Sequence, residues 1–237
     1  MKINCNDNIN FTSKAHPIAP FKFKSPKGVI TVKEETLDCL RPNADLTEFG
    51  RFFVDNFMGN LKGMRVGKFD NFFSPKVYKK SIKNYTESCE DVFAREENLS
   101  TMLAARNSKG KLVGALLTHP FDENPLISDK KTFYIDSIAI SKKYRRLGLG
   151  KKLIEKAIEA DGRDFTDIYL TALKNSVKFY KKMGFSEILP TTDANKKILD
   201  IISMYRNDYP KYMTPMTKTL KPNSLRWIDR VIYYVLK

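Results

Sequence analysis

The chain has 237 residues, enough for one substantial hydrophobic core, and its 42% apolar content excludes disorder along the whole length. Lysine and arginine number 42 against 27 acidic residues, and the formal charge of +15 favours polyanionic partners: nucleic acid, an anionic membrane face or a phosphorylated cofactor. The three cysteines, Cys5, Cys39 and Cys89, form no Cys-x-x-Cys pair, and the only histidines are His16 and His119, so neither a disulfide framework nor a metal centre is predicted.

The N-terminal stretch is predicted to be a leader outside the folded domain. Residues 1–28 are polar and interrupted by Pro17, Pro20 and Pro26, without the apolar run of a signal peptide, so we expect them to be loosely held. No stretch of the chain approaches the roughly eighteen uninterrupted apolar residues of a membrane span. The sequence therefore predicts a soluble, cytoplasmic protein.

The next segment has a strand pattern followed by a helix pattern. Apolar and polar residues alternate along "GVITVKEE" (28–35), which predicts the first strand. Apolar residues at helical spacing predict a helix that begins after Pro42 and ends near Gly59. The glycine-dotted residues 59–73 are then a loop insert.

A second helix and a hairpin follow. Ser74-Pro75 is typical of a helix start, a cap followed by proline at the first helical position, and the helix runs toward Glu97. Two apolar strands joined at "NSKG" predict a hairpin over 99–119. After it come a proline-containing insert, 120–131, and a strand, 132–140.

The last part of the chain continues this mixture. A helix that opens at a glycine stretch leads to a strand over 167–173 and a short helix over 175–183, stopped by Gly184. The remaining predicted features are strands at 185–190 and 213–220, an insert at 191–210 with a helix over 194–208, and an amphipathic tail helix at 222–237. Together the patterns indicate an α/β or α+β domain over 29–221, a sheet covered by helices.

Residues 145–150 read "RRLGLG" where an amphipathic helix begins. Glycine costs a helix interior about 1 kcal/mol relative to alanine, so two glycines here indicate a special requirement of the backbone. A helix N-terminus leaves N–H groups unpaired and carries about half a positive charge, which attracts phosphate. Gly148 and Gly150 allow a pyrophosphate to approach closely, and four cations surround the turn: Arg145, Arg146, Lys151 and Lys152.

Two common phosphate motifs do not match this turn. A P-loop requires serine or threonine after its lysine, where Lys152 stands, and a Rossmann fingerprint requires a third glycine, where Leu153 stands. A charged helix whose glycines serve only tight packing is the alternative to an anion site.

Two segments resemble the signatures of the GNAT (general N-acetyltransferase) superfamily. "IDSIAISKKYRRLGLGKKLIEKAIE" (135–159) is similar to its acetyl-CoA signature, with Arg145, Gly148 and Gly150 in the fixed places. "NSVKFYKKMGF" (175–185) resembles the second signature, an Asn, then Phe-Tyr, then Gly-Phe. A weaker similarity extends from the first strand to 213–220.

The resemblance implies a mixed, mostly antiparallel central sheet flanked by helices, with a C-terminal helix, and an N-acetyltransferase that uses acetyl-CoA and releases CoA. The strand residues expected to pair with the pantetheine arm are Ile138, Ala139 and Ile140. Asn175 is expected to cap its helix and to reach the cofactor. The turn expected to hold the pyrophosphate comprises Arg145, Arg146, Leu147, Gly148, Leu149, Gly150 and Lys151.

The resemblance also implies the catalytic groups. Tyr180 matches the tyrosine that protonates the leaving thiolate, while an amine attacks the acetyl carbonyl directly. Asp136 is a candidate base, directly or through water; the alternative is a surface carboxylate or one paired to a nearby lysine or arginine. His119, which precedes a proline, is another candidate, although such a histidine is more often a turn residue.

The acceptor is left open by the sequence. A small amine, an antibiotic-like polyamine, a protein N-terminus and a lysine side chain all fit the mixed charge of the three inserts. The rival function is a GNAT-fold binding module that docks on RNA or the ribosome through its lysines, but aromatic interleaving of the kind that stacks bases is not evident. The tail helix is expected to cover a sheet edge or form a homodimer rather than bind a membrane.

Overall fold

The computed structural model describes residues 18–35, 46–61, 75–95, 100–120, 132–161, 167–205 and 213–220. Within them, eight strands form one sheet in the order β1-β2-β3-β4-β5-β6-β8-β7. The strands are β1 (Phe21–Ser25), β2 (Gly28–Glu34), β3 (Thr101–Asn107), β4 (Leu112–Pro120), β5 (Thr132–Ile140), β6 (Asp167–Leu173), β7 (Ser186–Glu187) and β8 (Met213–Thr219).

Helices flank this sheet. They are α1 (Leu46–Leu61), α2 (Pro75–Arg95), α3 (Leu149–Asp161), α4 (Val177–Lys182) and α5 (Asp193–Tyr205), with 3₁₀ turns at Lys142–Tyr144 and Lys174–Ser176. The β5–β6 pair is parallel, whereas β1–β2, β2–β3, β6–β8 and β7–β8 are antiparallel. The predicted fold class, a mixed and mostly antiparallel sheet with helices around it, is confirmed. The predicted tail helix, 222–237, lies outside the described residues.

Several elements begin and end where the sequence predicts. β5 and β6 have the predicted bounds, and α2 begins at Pro75. The hairpin of β3 and β4 turns as expected, because the Asn107 side chain accepts hydrogen bonds from the Lys109 and Lys111 N–H groups at 3.0 and 3.1 Å.

Residues 21–25, which the sequence analysis assigns to the leader, instead form β1. Phe21 and Phe23 alternate with exposed Lys22 and Lys24, and they pair in register with Val32 and Ile30 of β2. The lysines make the segment look polar as a whole, although one face of it is apolar. A strand is therefore favoured once β2 is present to pair with it.

Two further boundaries differ from the sequence predictions. α1 extends through Leu61, so the predicted loop at 59–73 begins too early. A glycine costs an established helix only about 1 kcal/mol, which does not by itself end the helix. The predicted strand 185–190 is reduced to the two residues of β7. The predicted insert at 191–210 contains α5, and residues 206–210 of this insert and 121–131 of the preceding one lie outside the described residues.

The described residues divide into two compact units, one drawn from 1–117 and 137–154 and the other from 118–136 and 155–237. In the first, α1 and α2 pack on β3, β4 and the end of β5. Buried Phe49 and Phe53 of α1 form the centre of this core with Met102, Leu117 and Ala139. Burying each such aromatic side chain stabilises the fold by about 1.5–3 kcal/mol.

The second unit has its core on β6 and the start of β5. Tyr134, Tyr169, Ile188 and Ile198 form a buried cluster, in which Ile198 comes from α5. β6 pairs with β8 along its full length, and the Thr219 hydroxyl donates to buried Asp167 at 2.7 Å. None of the helices in the described ranges is long and apolar enough to cross a membrane.

Candidate functional site

β5 carries the residues predicted to bind the pantetheine arm, and its two faces differ. Ala139 lies in the core formed with α1 and α2, and the Ser137 hydroxyl is hydrogen-bonded to the Tyr85 hydroxyl of α2. Asp136, Ile138 and Ile140 lie on the opposite face, since side chains alternate along a strand, and all three are half-buried.

The ladder between β5 and β6 is shorter than either strand. It pairs Thr132–Ile135 with Asp167–Leu170, whereas β5 continues to Ile140 and β6 to Leu173. The three residues predicted to bind the pantetheine arm therefore lie beyond the end of this ladder.

The glycine turn forms the start of α3. Gly148 has φ +87° and Arg146 has φ +64°, so both adopt the left-handed conformation that favours glycine. The Lys152 N–H donates to the Gly148 carbonyl at 3.0 Å, which makes Gly148 the N-cap of the helix. A glycine cap has no side-chain oxygen to accept from the N–H groups of the first turn.

A second glycine, which the sequence analysis did not single out, allows α3 to approach the sheet. A Cβ at Gly114 of β4 would lie 3.0 Å from Ile140 Cδ1, 3.2 Å from Leu149 Cδ2 and 3.3 Å from Ala105 Cβ. Leu149, the first residue of α3, is buried against this position. Glycine within a strand pattern is the only local sign of such a contact.

The charges around the turn are positive. Lys142, Lys143, Arg146 and Lys151 are exposed, and α3 has no acidic residue in its first turn. The side chains therefore add to the positive end of the helix dipole, and the arrangement suits a multiply charged anion.

Arg145 differs from its charged neighbours because its guanidinium is directed into the protein. Its Nε donates to the Ile140 carbonyl at 2.8 Å, and one Nη donates to Asn56 Oδ1 at 3.2 Å. Asn56, on α1, is a residue that the sequence analysis did not identify, because nothing local connects it to the turn 89 residues later.

Tyr180 lies in α4, in the second unit, and is only 7% exposed. Burial, followed by the nearby Tyr134, raises the pKa of its hydroxyl well above the usual value. In the part of the chain that the structure describes, no residue is hydrogen-bonded to that hydroxyl.

The end of α4 fixes the position of Tyr180. Gly184 has φ +85°, and its N–H donates to the Lys181 carbonyl while the Phe185 N–H donates to the Tyr180 carbonyl. These two bonds form a Schellman motif, with Gly184 as the left-handed residue after the helix. The Gly-Phe pair of the second signature thus ends the helix immediately after Tyr180.

Asn175 does not cap α4 as predicted. It lies within the 3₁₀ turn Lys174–Ser176, and the N-cap of α4 is Ser176, whose side chain makes no capping bond. The Asn175 Oδ1 instead accepts a hydrogen bond from the Ser176 hydroxyl at 3.2 Å. The 3₁₀ turn moves the helix start by two residues, which the sequence pattern does not reveal.

Of the two candidate bases, Asp136 is half-buried on β5, two residues after Tyr134 and on the same face of the strand. His119 lies at the end of β4, in the strand that the sequence predicts for it, and its ring centroid lies 5.6 Å from that of Tyr134. The Tyr134 hydroxyl shares a hydrogen bond of 2.7 Å with the Thr171 hydroxyl. Across the described ranges, no group of three or more His, Cys, Asp or Glu side chains is arranged to hold a metal ion.

Solved structures with a similar fold come from several microorganisms. A protein of Pyrococcus horikoshii OT3 is 15% identical, with a TM-score of 0.53 over 80% of this chain and 99% of that one. A structure described as histone acetyltransferase HPA2 and related acetyltransferase, from Corynebacterium glutamicum, is 20% identical, with a TM-score of 0.52 over 81% and 97%. An acetyltransferase of the GNAT family from Staphylococcus aureus is 20% identical, with a TM-score of 0.50 over 81% and 99%.

At these identities the similarity shows the fold alone. Family membership rests on a separate finding, a match of residues 42–185 to the acetyltransferase (GNAT) family. This match covers more than half of the 237 residues and includes both signature segments. The chain therefore belongs to the GNAT acetyltransferase family.

Proposed function

We propose that this protein is an acetyl-CoA-dependent N-acetyltransferase that acts on a primary amine by direct attack. The observation that carries the proposal is the start of α3, where Gly148 is both the N-cap and a left-handed residue. The first turn has no acidic residue and no side-chain cap from Gly148, so its N–H groups would bind an anion.

The residues of the turn fit a pyrophosphate. Among the described residues, a Cβ at Gly148 would have one neighbouring side chain within 4 Å, that of Phe23, so the described part of the chain leaves room beside the turn. Backbone N–H groups from Leu147 to Lys151 would hold the phosphate oxygens, and Arg146 and Lys151 would add charge. Ile138, Ala139 and Ile140 would pair with the pantetheine arm through their backbone groups, which agrees with the early end of the β5–β6 ladder.

Acetyl-CoA supplies the acetyl group as a thioester and leaves as the CoA thiol. Tyr180 would provide the proton that the leaving sulfur takes up, and burial keeps that proton on the phenol at neutral pH. Because a thiol has a pKa of about 8.5, far below that of this tyrosine, the transfer requires a hydrogen bond to the sulfur. The position of Tyr180 is therefore more important than its acidity. Asn175 would contribute a further contact with the cofactor.

The amine must lose a proton as its bond to the acetyl carbon forms. Asp136 would accept this proton directly or through water. Deprotonation of a lysine side chain at pH 7 costs about 4.6 kcal/mol. Deprotonation of an α-amine of pKa about 7.7–8.0 costs only about 1–1.4 kcal/mol. An α-amine acceptor therefore needs little help from a base.

The proposal is tested by acceptor-dependent release of CoA thiol from acetyl-CoA, with mass spectrometry of the acceptor. Four acceptors should be compared. They are a peptide whose free N-terminus is its only amine, an N-terminally blocked peptide whose only amine is a lysine side chain, a polyamine and a small primary amine. Acetylation on nitrogen by the wild-type protein supports the proposal. Binding of single-stranded RNA by a folded protein that neither binds acetyl-CoA nor acetylates any acceptor would favour the binding-module alternative.

A further inference from the structure

We infer that Asn56 is a positioning residue for the glycine turn, and that it acts by holding Arg145. The inference rests on the proposed function, since the turn is taken to bind the pyrophosphate of the cofactor. It assigns Arg145 a different role from that of Arg146 and Lys151. The guanidinium of Arg145 would set the shape of the turn rather than contact phosphate.

The side-chain amide of Asn56 has a defined orientation. Its Nδ2 donates to the Phe52 carbonyl, one turn earlier in α1, at 2.8 Å. This bond directs Oδ1 away from its own helix, and Oδ1 accepts from Arg145 at 3.2 Å. The same Nη of Arg145 lies 3.5 Å from the Asn56 carbonyl oxygen. Asn56 therefore presents two acceptors to one guanidinium.

Arg145 joins α1 to the end of β5. While one Nη contacts Asn56, the Nε donates to the Ile140 carbonyl at 2.8 Å, five residues earlier in the chain. The guanidinium is planar, so the directions of these two bonds are fixed relative to each other. Together they fix the connection from β5 to α3 at its fifth residue, immediately before Arg146.

The turn needs this support because its backbone conformation is unfavourable. Arg146 has φ +64°, a left-handed conformation that costs a non-glycine residue about 1–2 kcal/mol and persists only when the surroundings enforce it. Gly148 follows with φ +87°. Without the bonds of Arg145, the turn would relax, and the N–H groups of the first turn of α3 would lose their common direction.

Two substitutions separate the two roles of Arg145, direct contact with phosphate and support of the turn through Asn56. Lysine keeps the positive charge but cannot donate in two fixed directions, so Arg145→Lys should behave like loss of the anchor. If the guanidinium contacted phosphate directly, Asn56→Leu would leave the affinity for CoA intact and Arg145→Lys would retain most of it. If it acts through Asn56, both substitutions weaken CoA binding and their effects are not additive.

The test is calorimetric titration of CoA into the wild-type protein, four single variants and one double variant. The single variants are Asn56→Leu, Asn56→Asp, Arg145→Lys and Asp55→Ala, and the double variant, Asn56→Leu with Arg145→Lys, measures additivity. We expect about tenfold weaker binding for Asn56→Leu and Arg145→Lys, the effect of one charge-assisted hydrogen bond. Asn56→Asp keeps an acceptor for Arg145 but loses the donor to the Phe52 carbonyl; the charge of its carboxylate attracts the guanidinium, so it should bind within about twofold of wild type. Asp55 bonds Tyr78 on the exposed side of α1, so Asp55→Ala is the matched control and should bind like wild type.

Amide hydrogen exchange of residues 146–151 without ligand provides a readout that does not depend on CoA. It should be faster in Asn56→Leu than in wild type or in Asp55→Ala. Wild-type CoA binding with equal affinity in Asn56→Leu, or unchanged exchange in that variant, would overturn this inference alone. A folded wild-type protein that does not bind CoA would overturn the proposed function. If Asn56→Leu does not fold, the CoA affinities of Arg145→Lys and Asn56→Asp are compared instead. Weak binding by Arg145→Lys with near-wild-type binding by Asn56→Asp supports the inference, and near-wild-type binding by Arg145→Lys overturns it.

Discussion

The ring of Phe185 packs edge-on against the ring of Tyr180, with centroids 5.7 Å apart, while the Phe185 N–H donates to the Tyr180 carbonyl at 3.1 Å. The same pair of residues is therefore joined through both backbone and side chain. Lys218 of β8 reinforces the end of the helix, because its Nζ donates to the Met183 carbonyl at 2.8 Å and lies 5.8 Å from the Phe185 ring centroid. The Gly-Phe pair of the second signature thus helps to fix the position of Tyr180.

Substitution of Gly184 should release this arrangement. Gly184 has φ +85°, so Gly184→Val should lower the free energy of unfolding by about 1–2 kcal/mol and reduce the turnover number, while the affinity for CoA is little changed. Thermal unfolding and acetyl-transfer kinetics measure the two effects. Ser186→Ala, at an exposed position two residues later, is the control. Unchanged stability and turnover in Gly184→Val would contradict this account of the motif.

Replacing Tyr180 by phenylalanine should lower the turnover number by about 10²-fold or more, with CoA affinity unchanged, because only the proton donor is removed. The pKa of Tyr180 is raised by burial, so the donor keeps its proton through the usual range of tyrosine ionisation. Wild-type turnover should therefore show no alkaline loss from this group below a pH of about 10. An alkaline limb near neutral pH that disappears in Tyr180→Phe would contradict the assignment.

The same pKa shift has a consequence for stability. The pKa of Tyr180 is higher in the folded than in the unfolded chain, so the unfolded chain loses this proton first as the pH rises. The contribution of Tyr180 to the free energy of unfolding is therefore complete below a pH of about 10. It is lost as the pH rises through the folded-state pKa. Urea unfolding across that range should show a steeper alkaline loss for wild type than for Tyr180→Phe.

Arg106 of β3 should contribute to stability but not to chemistry. It donates to Glu35 at 3.0 Å and to Glu48 of α1 at 2.7 Å, and the hydrogen bond to Glu48 is the main reason why its pKa is raised. Because the three side chains are partly exposed, Arg106→Ala should cost about 1–2 kcal/mol, less at high salt. The exposed pair Lys83 and Glu87, 3.6 Å apart, is the control, and Lys83→Ala should cost at most about 0.5 kcal/mol. If urea unfolding shows that Arg106→Ala and Lys83→Ala lower the free energy of unfolding equally, this prediction is contradicted.

Gly114 should be intolerant of even a methyl group. A Cβ there would lie 3.0 Å from Ile140 Cδ1, so Gly114→Ala should destabilise the protein by about 1–3 kcal/mol through overpacking at the start of α3. Adding Ile140→Val removes that Cδ1 and should recover part of the loss. Urea unfolding of the single and double variants measures the compensation, and a double variant less stable than Gly114→Ala alone would show that another contact is limiting.

The elements of this fold that could be predicted are those whose bounds are set by residues close to them in the sequence. The bounds of β5 and β6 follow from short apolar strands between loops, and the start of α2 follows from Ser74-Pro75. The position of the glycine turn follows from its own residues. By contrast, β1 has the composition of a leader, and only its pairing with β2 makes it a strand.

The parts that could not be predicted depend on contacts between distant residues. Asn56 and Arg145 are 89 positions apart, and no local pattern marks an asparagine near the end of a helix as a partner for an arginine. Gly114 depends in the same way on Ile140 and Leu149. The roles of Asp136, Asn175 and Tyr180 stay predictions, and the kinetics of Tyr180→Phe test the last of them.

The central claim, that the start of α3 binds the pyrophosphate of acetyl-CoA, is tested most directly by calorimetric titration of acetyl-CoA into wild type and into the double variant Gly148→Glu, Gly150→Glu. The new side chains and negative charges should exclude the anion from the turn, and circular dichroism would verify that the variant keeps its overall secondary structure. We expect micromolar binding by wild type and its loss in the double variant. No binding by the folded wild-type protein, or equal binding by the variant, would contradict the account.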